Sequence, residues 1–258
     1  MANAIISGLI SAGYAAKNIC VSDKDSQKLA EFEKLGVNTI PCNAELEKEC
    51  GIIILAVKPQ IMDSVLAELA NAQCAPSKND DKIYISIAAG VTLAKLENAL
   101  GTEKKIVRTM PNTPLQVGCG ITIICPNGNL TDDEISVVEE IFANSVVRLD
   151  EAHINAGMAL SASSPAYVYM LIDAMADGGV KHGLPRDVAL KLAAKAVEGA
   201  GKMVTETGIS PEQLKNNVCS PGGTTIEAVQ ALEREKFAAA LHAAIDACVE
   251  KGKSLDTN

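Results

Sequence analysis

The sequence has no run of about 18 apolar residues, and its N-terminus has no basic segment followed by an apolar segment and a cleavage site. The first absence excludes a membrane-spanning helix and the second excludes a secretory signal peptide. We therefore expect a soluble, cytoplasmic protein. The sequence also has no cluster of Lys and Arg residues that would form a basic patch. It contains 23 Lys and Arg residues and 32 Asp and Glu residues, which gives a formal net charge of −9. Such a chain would repel a phosphate backbone, so no nucleic-acid partner is expected.

Metal ligands are scarce as well. The eight cysteines include no CxxC pair, and only three histidines are present. We expect no metal site, and we expect the cysteines to be reduced and mostly buried. Cys219 lies beside the candidate site described below, but no base is adjacent to it in sequence, so a nucleophile there is a disfavoured alternative.

Strands and helices alternate through the first 150 residues. Apolar residues at helical spacing predict an opening helix that ends at Gly13, with no strand before it. Strands are predicted at residues 19–23, 52–57, 83–87, 106–109, 121–125 and 146–149. Helices are predicted at residues 26–35, 61–69, 93–100 and 132–143. This alternation is typical of a doubly wound parallel (Rossmann-like) sheet, so we assign residues 1–150 to a dinucleotide-binding domain.

From residue 151 onward the pattern changes to helices only. Segments rich in Ala and Gly predict helices at residues 165–180, 185–205, 211–216 and 225–253. The sequence Ser210-Pro211-Glu212-Gln213 has the form of a capping box with proline at the first helical position. Residues 151–258 are therefore predicted to form an all-α domain. Long Ala-rich helices suit either a monomeric bundle or a bundle shared between subunits.

One turn in this helical half is a candidate anion site. In Ser220-Pro221-Gly222-Gly223-Thr224-Thr225, proline restricts one φ angle and two glycines allow the backbone to approach a ligand closely. Thr224, followed three positions later by Glu227, predicts a capping box at the start of a helix. The N–H groups of a helix start attract anions, so the turn is predicted to bind a carboxylate or a phosphate. An ordinary capped turn that binds nothing is the alternative.

Several motifs give the chain a family resemblance. They are AVKPQ at residues 56–60, SIAAGVT at 86–92, MPNTP at 110–114, DGGVKHGLPRDVA at 177–189 and SPGGTT at 220–225. Over nearly its whole length the chain resembles pyrroline-5-carboxylate reductases, which complete proline biosynthesis. The resemblance implies hydride transfer from NADH or NADPH to the C=N carbon of 1-pyrroline-5-carboxylate, giving L-proline. It also implies an all-α dimerisation domain and a homodimer or higher homo-oligomer.

The resemblance implies roles for individual residues. Thr225 takes the catalytic position whose hydroxyl contacts the ring nitrogen of the substrate. Substrate contacts are implied at Glu151, Ser220, Gly222, Gly223, Thr224 and Thr225. Cofactor contacts are implied at Met1, Asp23, Asn43, Ala56, Val57, Lys58, Pro59, Ala88, Ala89, Asn112 and Asn217, with Asn112 near the nicotinamide and Asn217 near the substrate. For Glu151, a solvated linker carboxylate is the alternative.

Asp23 bears on the choice of cofactor. A carboxylate at the end of this strand accepts hydrogen bonds from a ribose 2′-OH and repels a 2′-phosphate, which favours NADH. Many members of the family prefer NADPH, and the neighbouring Lys24 would offset the repulsion. The sequence leaves the preference open.

The chain departs from the family pattern in two places. Ala162 and Ser164 replace two glycines, which predicts crowding at a tight helix start. The first strand and its Gly-rich turn have no counterpart, because Met1 aligns with the helix after that turn. The second and fourth strands of the usual order would then face a gap, and we expect weak dinucleotide binding. Two alternatives follow: a homologue that acts only in assembly, or a related imine or hydroxyacid dehydrogenase, although residues 166–177 lack the lysine expected of the latter.

Overall fold

A computed structural model of the chain describes residues 1–40, 42–73, 81–143 and 145–256. Contacts between residues divide the chain into two compact units. Unit 1 consists of Met1–Ser163 and Cys248–Asn258, and unit 2 consists of Ser164–Ala247. The boundary predicted after residue 150 concerns function as well as packing and stays a prediction.

The strands all lie in unit 1. They are β1 (Cys20–Val21), β2 (Asn38–Thr39), β3 (Ile52–Leu55), β4 (Ile83–Ser86), β5 (Lys105–Pro111), β6 (Thr122–Pro126) and β7 (Val146–Arg148). Strands β3 to β7 form one sheet in that order, and β1 and β2 form a separate parallel pair. The strands alternate with helices along the chain and form a largely parallel sheet, which confirms the predicted Rossmann-like fold class.

One pair in the larger sheet departs from the parallel pattern. Strands β5 and β6 run antiparallel, whereas the β3/β4, β4/β5 and β6/β7 pairs are parallel. The connection between β5 and β6 contains only a 3₁₀ helix, Thr113–Val117. A parallel pair needs a crossover of about a dozen residues or more, usually a helix, so this short connection reverses the chain direction.

The two sheets are not joined within the described ranges. Strand β1 pairs only with β2, and β3 pairs only with β4. One edge of each therefore lacks a strand partner in this part of the chain. The interruption falls between the β1–β2 pair and the five-stranded sheet. This is where a gap was expected, because the first strand of the usual order has no counterpart in the chain. Its expected consequence, weak dinucleotide binding, stays a prediction.

Helices cover both faces of the larger sheet. In unit 1 they are α1 (Ala2–Ser11), α2 (Ser26–Glu33), α3 (Asn43–Glu49), α4 (Pro59–Gln73), α5 (Leu93–Leu100), α6 (Asp132–Ile141) and α7 (Ile154–Ser161). Met62 of α4 and Leu96 of α5 are buried in the core on one face. Ile5 of α1 and Val138 of α6 are buried in the core on the other. Burial on both faces explains why the central strands are continuous apolar runs.

Unit 2 is helical, as predicted. It contains α8 (Ser164–Lys181), α9 (Arg186–Thr207), α10 (Pro211–Val218) and α11 (Thr224–Arg234), and α12 (Phe237–Asp256) begins in it. The single helix predicted over residues 225–253 is wrong. It is broken because Lys236 adopts a left-handed conformation with φ of 58°, which ends α11. At the start of α8, neither Ala162 nor Ser164 has a positive φ that would require glycine. The predicted crowding by their side chains concerns space rather than φ and stays a prediction.

Candidate active site

The turn before α11 has the geometry of a tight reverse turn. The N–H of Gly223 donates to the carbonyl of Ser220 at 3.0 Å. Pro221 occupies the second position and Gly222, with φ of +65°, the third. Proline followed by a residue of positive φ is the signature of a type II turn. One hydrogen bond within four consecutive residues therefore closes the turn.

Gly223 is required by space rather than by conformation. Its φ is −83°, which any residue adopts. A Cβ at this position would overlap the hydroxyl of Ser220 and would come within 3.1 Å of the Ser220 carbonyl oxygen. The hydroxyl of Ser220 thus packs directly on the glycine, and a larger residue would displace this hydroxyl and press on the Ser220 carbonyl.

The predicted capping box is wrong. Gly223, not Thr224, is the N-cap of α11, and no side chain accepts a hydrogen bond from the first turn. Thr224 is the first helical residue and cannot cap the helix that it is part of. By contrast, Ser210 caps α10 as predicted, accepting from Gln213 N at 3.2 Å. An uncapped start leaves the N–H groups of α11 available to an anion.

Thr225 is the second helical residue of α11 and is half-buried. Its hydroxyl makes no hydrogen bond within unit 2 as described. A threonine hydroxyl can both donate and accept, so this group can adapt to either protonation state of a ligand nitrogen. Asn217 lies eight residues earlier, in α10, where its Oδ1 accepts from Gln213 Nε2 at 2.8 Å. That bond occupies one of its acceptor sites and leaves its amide N–H₂ without a described partner.

The predicted cofactor residues of unit 1 follow the strands β1, β3 and β4. Asp23 comes two residues after β1, Ala56, Val57 and Lys58 connect β3 to α4, and Ala88 and Ala89 follow β4. Parallel strands present their carboxyl ends at one edge of a sheet, which is where such folds bind ligands. Lys58 is exposed and directly precedes α4, which begins at Pro59. Ala56 and Ala89 are small and half-buried, so they leave the backbone accessible, and Lys58 is an exposed cation. Their predicted contacts with a dinucleotide stay a prediction.

Asp23 and Asn43 are already hydrogen-bonded within unit 1. Asp23 Oδ1 accepts from Asp25 N at 2.8 Å. Asn43 Nδ2 donates to Glu68 Oε2 at 2.6 Å, and Lys24 Nζ lies 3.5 Å from Glu68 Oε1. These contacts hold both predicted residues in place. The Glu68 carboxylate also attracts the cation that was expected to offset the charge of Asp23.

Asn112 is 7% exposed, and both ends of its amide are used inside the protein. Its Nδ2 donates to the Ser161 carbonyl at 3.1 Å, and its Oδ1 accepts from Ile121 N at 3.0 Å. The side chain thereby ties the end of β5 to the start of β6 and to the end of α7. Its geometry is that of a residue that shapes the site.

Glu151 is not a solvated linker carboxylate. Its Oε1 accepts from Arg108 Nη1 at 2.7 Å and from the backbone N–H of Leu93 at 2.8 Å. Arg108 lies in β5 and its side chain is 1% exposed. A carboxylate at the first N–H of α5 also complements the helix dipole. The structure thus gives Glu151 two internal partners, while its predicted contact with a substrate stays a prediction.

Arg108 and its second partner, Asp256, were missed by sequence reasoning. Arg108 Nη2 donates to Asp256 Oδ1 at 2.6 Å, and Asn155 Nδ2 donates to Asp256 Oδ2 at 2.7 Å. An arginine inside the apolar run KIVRTMP was a signal, because a buried charge requires a partner.

The cysteines depart from expectation in their burial. The seven in the described ranges are free thiols, as predicted, but only Cys125 is buried, while Cys42 and Cys119 are exposed. Cys74 lies outside those ranges. Burial raises the pKa of Cys125 to about 11, and burial together with the neighbouring Cys20 raises the pKa of Cys50 to about 11.

The described ranges of the chain lack two further features. No group of three or more His, Cys, Asp or Glu side chains is placed to hold a metal ion. None of the helices described above is both long and apolar enough to cross a membrane.

The chain is similar to known proteins over nearly its whole length. Residues 151–255 match the family profile described as pyrroline-5-carboxylate reductase dimerisation, and residues 1–90 match that of the coenzyme F420-dependent NADP oxidoreductases. The pyrroline-5-carboxylate reductase of Escherichia coli (strain K12) is 44% identical over 259 residues, covering 99% of this chain and 94% of the relative. That of Methanosarcina acetivorans is 40% identical with the same coverage.

Solved structures agree. The chain superposes on a pyrroline-5-carboxylate reductase from Coxiella burnetii with a TM-score of 0.91 at 35% identity, covering 98% of this chain and 94% of that one. It superposes on the Plasmodium falciparum pyrroline carboxylate reductase, solved with NADP bound, with a TM-score of 0.86 at 33% identity and the same coverage.

Proposed function

Since the chain belongs to the pyrroline-5-carboxylate reductase family, we propose that it reduces 1-pyrroline-5-carboxylate to L-proline with a hydride from NADH or NADPH. The observation that carries the proposal is the start of α11, where a rigid Pro-Gly-Gly turn precedes a helix without a side-chain cap. Next to it stands a threonine hydroxyl with no described partner. This combination matches a small cyclic imine that carries one carboxylate.

The residues of the turn bind the substrate carboxylate. The N–H groups at the start of α11 point toward an anion in front of the helix, and the helix dipole adds to the attraction. Gly222 and Gly223 let the carboxylate approach the backbone, and Ser220 contributes a hydroxyl. Holding the ring in one orientation is the source of much of the rate increase of such a reaction.

Thr225 acts at the ring nitrogen. When bound, the reduced nicotinamide supplies a hydride to the carbon of the C=N bond, and the nitrogen takes up one proton, so that L-proline and the oxidised nucleotide result. The Thr225 hydroxyl donates to or accepts from this nitrogen as its charge changes, which stabilises the transition state by a preorganised polar contact. No covalent intermediate with the protein is required.

The loops after β1, β3 and β4 hold the cofactor. Lys58 directly precedes α4, so its positive charge lies beside a helix N-terminus. This combination suits a phosphate group of the cofactor. Asp23 suits a ribose 2′-OH, and this is the residue through which the chain discriminates between NADH and NADPH. Asn112 is hydrogen-bonded inside unit 1 and fixes the backbone near which the nicotinamide would bind. Met1 stands at the N-cap of α1, where it is 40% exposed.

Unit 2 mediates assembly into a homodimer or a higher homo-oligomer. Its helices expose large apolar side chains that a monomer would leave in water, including Tyr169 at 60%, Met170 at 73%, Leu192 at 58% and Val218 at 64%. Apolar exposure on this scale marks an interaction surface. A second copy of the chain is the partner that the matched dimerisation profile supports.

The alternatives are less well supported. A related hydroxyacid dehydrogenase would carry a lysine on the first long helix of unit 2, and α8 has none before Lys181. A protein that acts only in assembly would have no need of a turn whose backbone is open to an anion.

A steady-state assay of the purified chain tests the proposal. Oxidation of NADH or NADPH is followed at 340 nm, with and without 1-pyrroline-5-carboxylate, and L-proline is measured as the product. Substrate-dependent oxidation that yields one proline per nucleotide is expected. Absence of proline at saturating concentrations of both reactants would refute the proposal.

A further inference from the structure

Arg108 is the centre of a charge network in unit 1 that the proposed chemistry does not use. Its guanidinium, 1% exposed, is bound by Glu151 on one side and by Asp256 on the other. A charge this deeply buried needs both partners, because the cost of removing it from water is only offset by well-oriented opposite charges. Both carboxylates are therefore held in fixed positions.

Glu151 connects the guanidinium to one end of the loop at residues 87–92, which joins β4 to α5. Its Oε1 accepts from the N–H of Leu93, the first residue of α5, at 2.8 Å. The loop contains Ala88 and Ala89, two of the predicted cofactor contacts. The position of this loop thus depends on the position of the Glu151 carboxylate.

The C-terminal turn of α12 supports the same loop from behind. A Cβ built on Gly90 would lie 2.9 Å from the Cβ of Leu255 and 3.1 Å from its carbonyl oxygen, so the two backbones are in close contact. Gly90 has a φ of +75°, which glycine adopts without strain. Asp256, the next residue after Leu255, holds this turn in place through Arg108 and through Asn155.

We propose that Asp256 is a positioning residue for cofactor binding: it fixes the loop at residues 87–92 in its binding conformation through Arg108 and Leu255. The inference rests on the proposed function of that loop. A closed ring of contacts surrounds the loop, and Asp256 is its member nearest the C-terminus. The ring consists of Arg108, Glu151, Leu93, Gly90, Leu255 and Asp256. If the ring is loosened, the loop spends part of its time outside the binding conformation. The apparent affinity for the nucleotide then falls in proportion to the fraction of molecules whose loop is still in that conformation.

The test compares Asp256→Asn with the wild type. The amide keeps the shape of the side chain and removes its charge. We expect the KM and the Kd for NADPH to rise by roughly 3- to 30-fold, the range of couplings carried through residues that touch neither ligand. The kcat at saturating NADPH should stay within about twofold of wild type. The KM for 1-pyrroline-5-carboxylate should rise by a smaller factor than the Kd for NADPH, since Glu151 is the one predicted substrate contact in the ring and the turn at 220–225 lies outside it.

Two further variants sharpen the test. Asn155→Ala removes only the second partner of Asp256, and the Kd for NADPH should rise in the same direction by a smaller factor, with less risk to folding. Glu250→Gln is the matched control, because it removes a carboxylate from the same helix in an exposed pair with Lys253. Its Kd for NADPH should equal that of the wild type. Thermal unfolding of every variant separates loss of fold from loss of affinity.

The outcomes are distinct. An unchanged Kd for NADPH in both Asp256→Asn and Asn155→Ala would overturn the inference while leaving the proposed function intact, and so would an equal loss of affinity for both reactants. A wild-type chain that binds neither NADH nor NADPH would overturn the proposed function and the inference together.

Discussion

Replacement of Thr225 by valine tests the role of its hydroxyl at the substrate nitrogen. Valine has nearly the same shape as threonine and a similar preference for helix, so the backbone of α11 should not change. The hydroxyl has no hydrogen bond within unit 2 as described, and Gly223 rather than a threonine is the N-cap. The substitution therefore removes one polar group and no described structural contact.

The expected loss can be worked out from this arrangement. Removal of a single polar contact to developing charge in a transition state lowers turnover by roughly 10- to 1,000-fold, which corresponds to about 1.4 to 4.1 kcal/mol. The free energy of unfolding should fall by less than about 1 kcal/mol, because no cap and no described hydrogen bond is lost. Activity and stability are thus predicted to separate.

The assay measures kcat and kcat/KM for 1-pyrroline-5-carboxylate at saturating NADPH, together with the Kd for NADPH and the unfolding midpoint. Thr225→Ser, which keeps the hydroxyl, should retain most of the turnover. Thr205→Val provides the matched control for the substitution itself, since the Thr205 hydroxyl lies in α9 and bonds only to the carbonyls of Gly201 and Lys202.

Wild-type turnover in Thr225→Val would refute the proposed role. So would a loss of turnover that Thr225→Ser fails to restore, because the effect would then come from packing. A large rise in the Kd for NADPH would show that the threonine belongs to the cofactor site and not to the substrate site.

Three other predictions follow from the same structure. Gly223→Ala should reduce kcat/KM roughly 10- to 100-fold, because the new methyl group overlaps the neighbouring hydroxyl in the turn and shifts the site; unchanged kinetics would mean that the turn can relax. Sedimentation at micromolar concentration should show a dimer or larger assembly with an interface of about 2,000 Å² or more, and Met170→Asp should dissociate it; a stable, folded wild-type monomer would contradict this. At pH 8 a soluble alkylating reagent should modify Cys42 before Cys50 and Cys125, whose raised pKa of about 11 leaves on the order of one thiolate in a thousand; equal labelling of all three in the folded protein would rule it out.

Local patterns in the sequence were enough to predict much of the architecture. The apolar run at β3 and the helix at residues 93–100 were predicted because hydrophobic periodicity depends on neighbours in the chain. The helix α3 was missed because NAELEKE carries little apolar periodicity, and α3 packs on α4 in the fold. The break at Lys236 was missed because nothing in its neighbours indicates a left-handed residue.

The candidate site divides in the same way. The conformation of the turn at 220–225 could be predicted because proline and glycine impose it locally. Its contacts with a substrate stay a prediction. Its cap was assigned to Thr224 rather than to Gly223, since the two choices differ by one residue and only the backbone geometry separates them.

The sequence by itself determined the alternation of strands and helices, the helical second half and the tight turn before α11, since each depends on residues within a few positions of one another. Only the tertiary structure decided which charges meet. Arg108 is separated by 43 positions from Glu151 and by 148 from Asp256, and no local pattern relates them. Their pairing follows from the burial of β5, because a guanidinium removed from water must be met by whichever carboxylates the fold brings within hydrogen-bond distance.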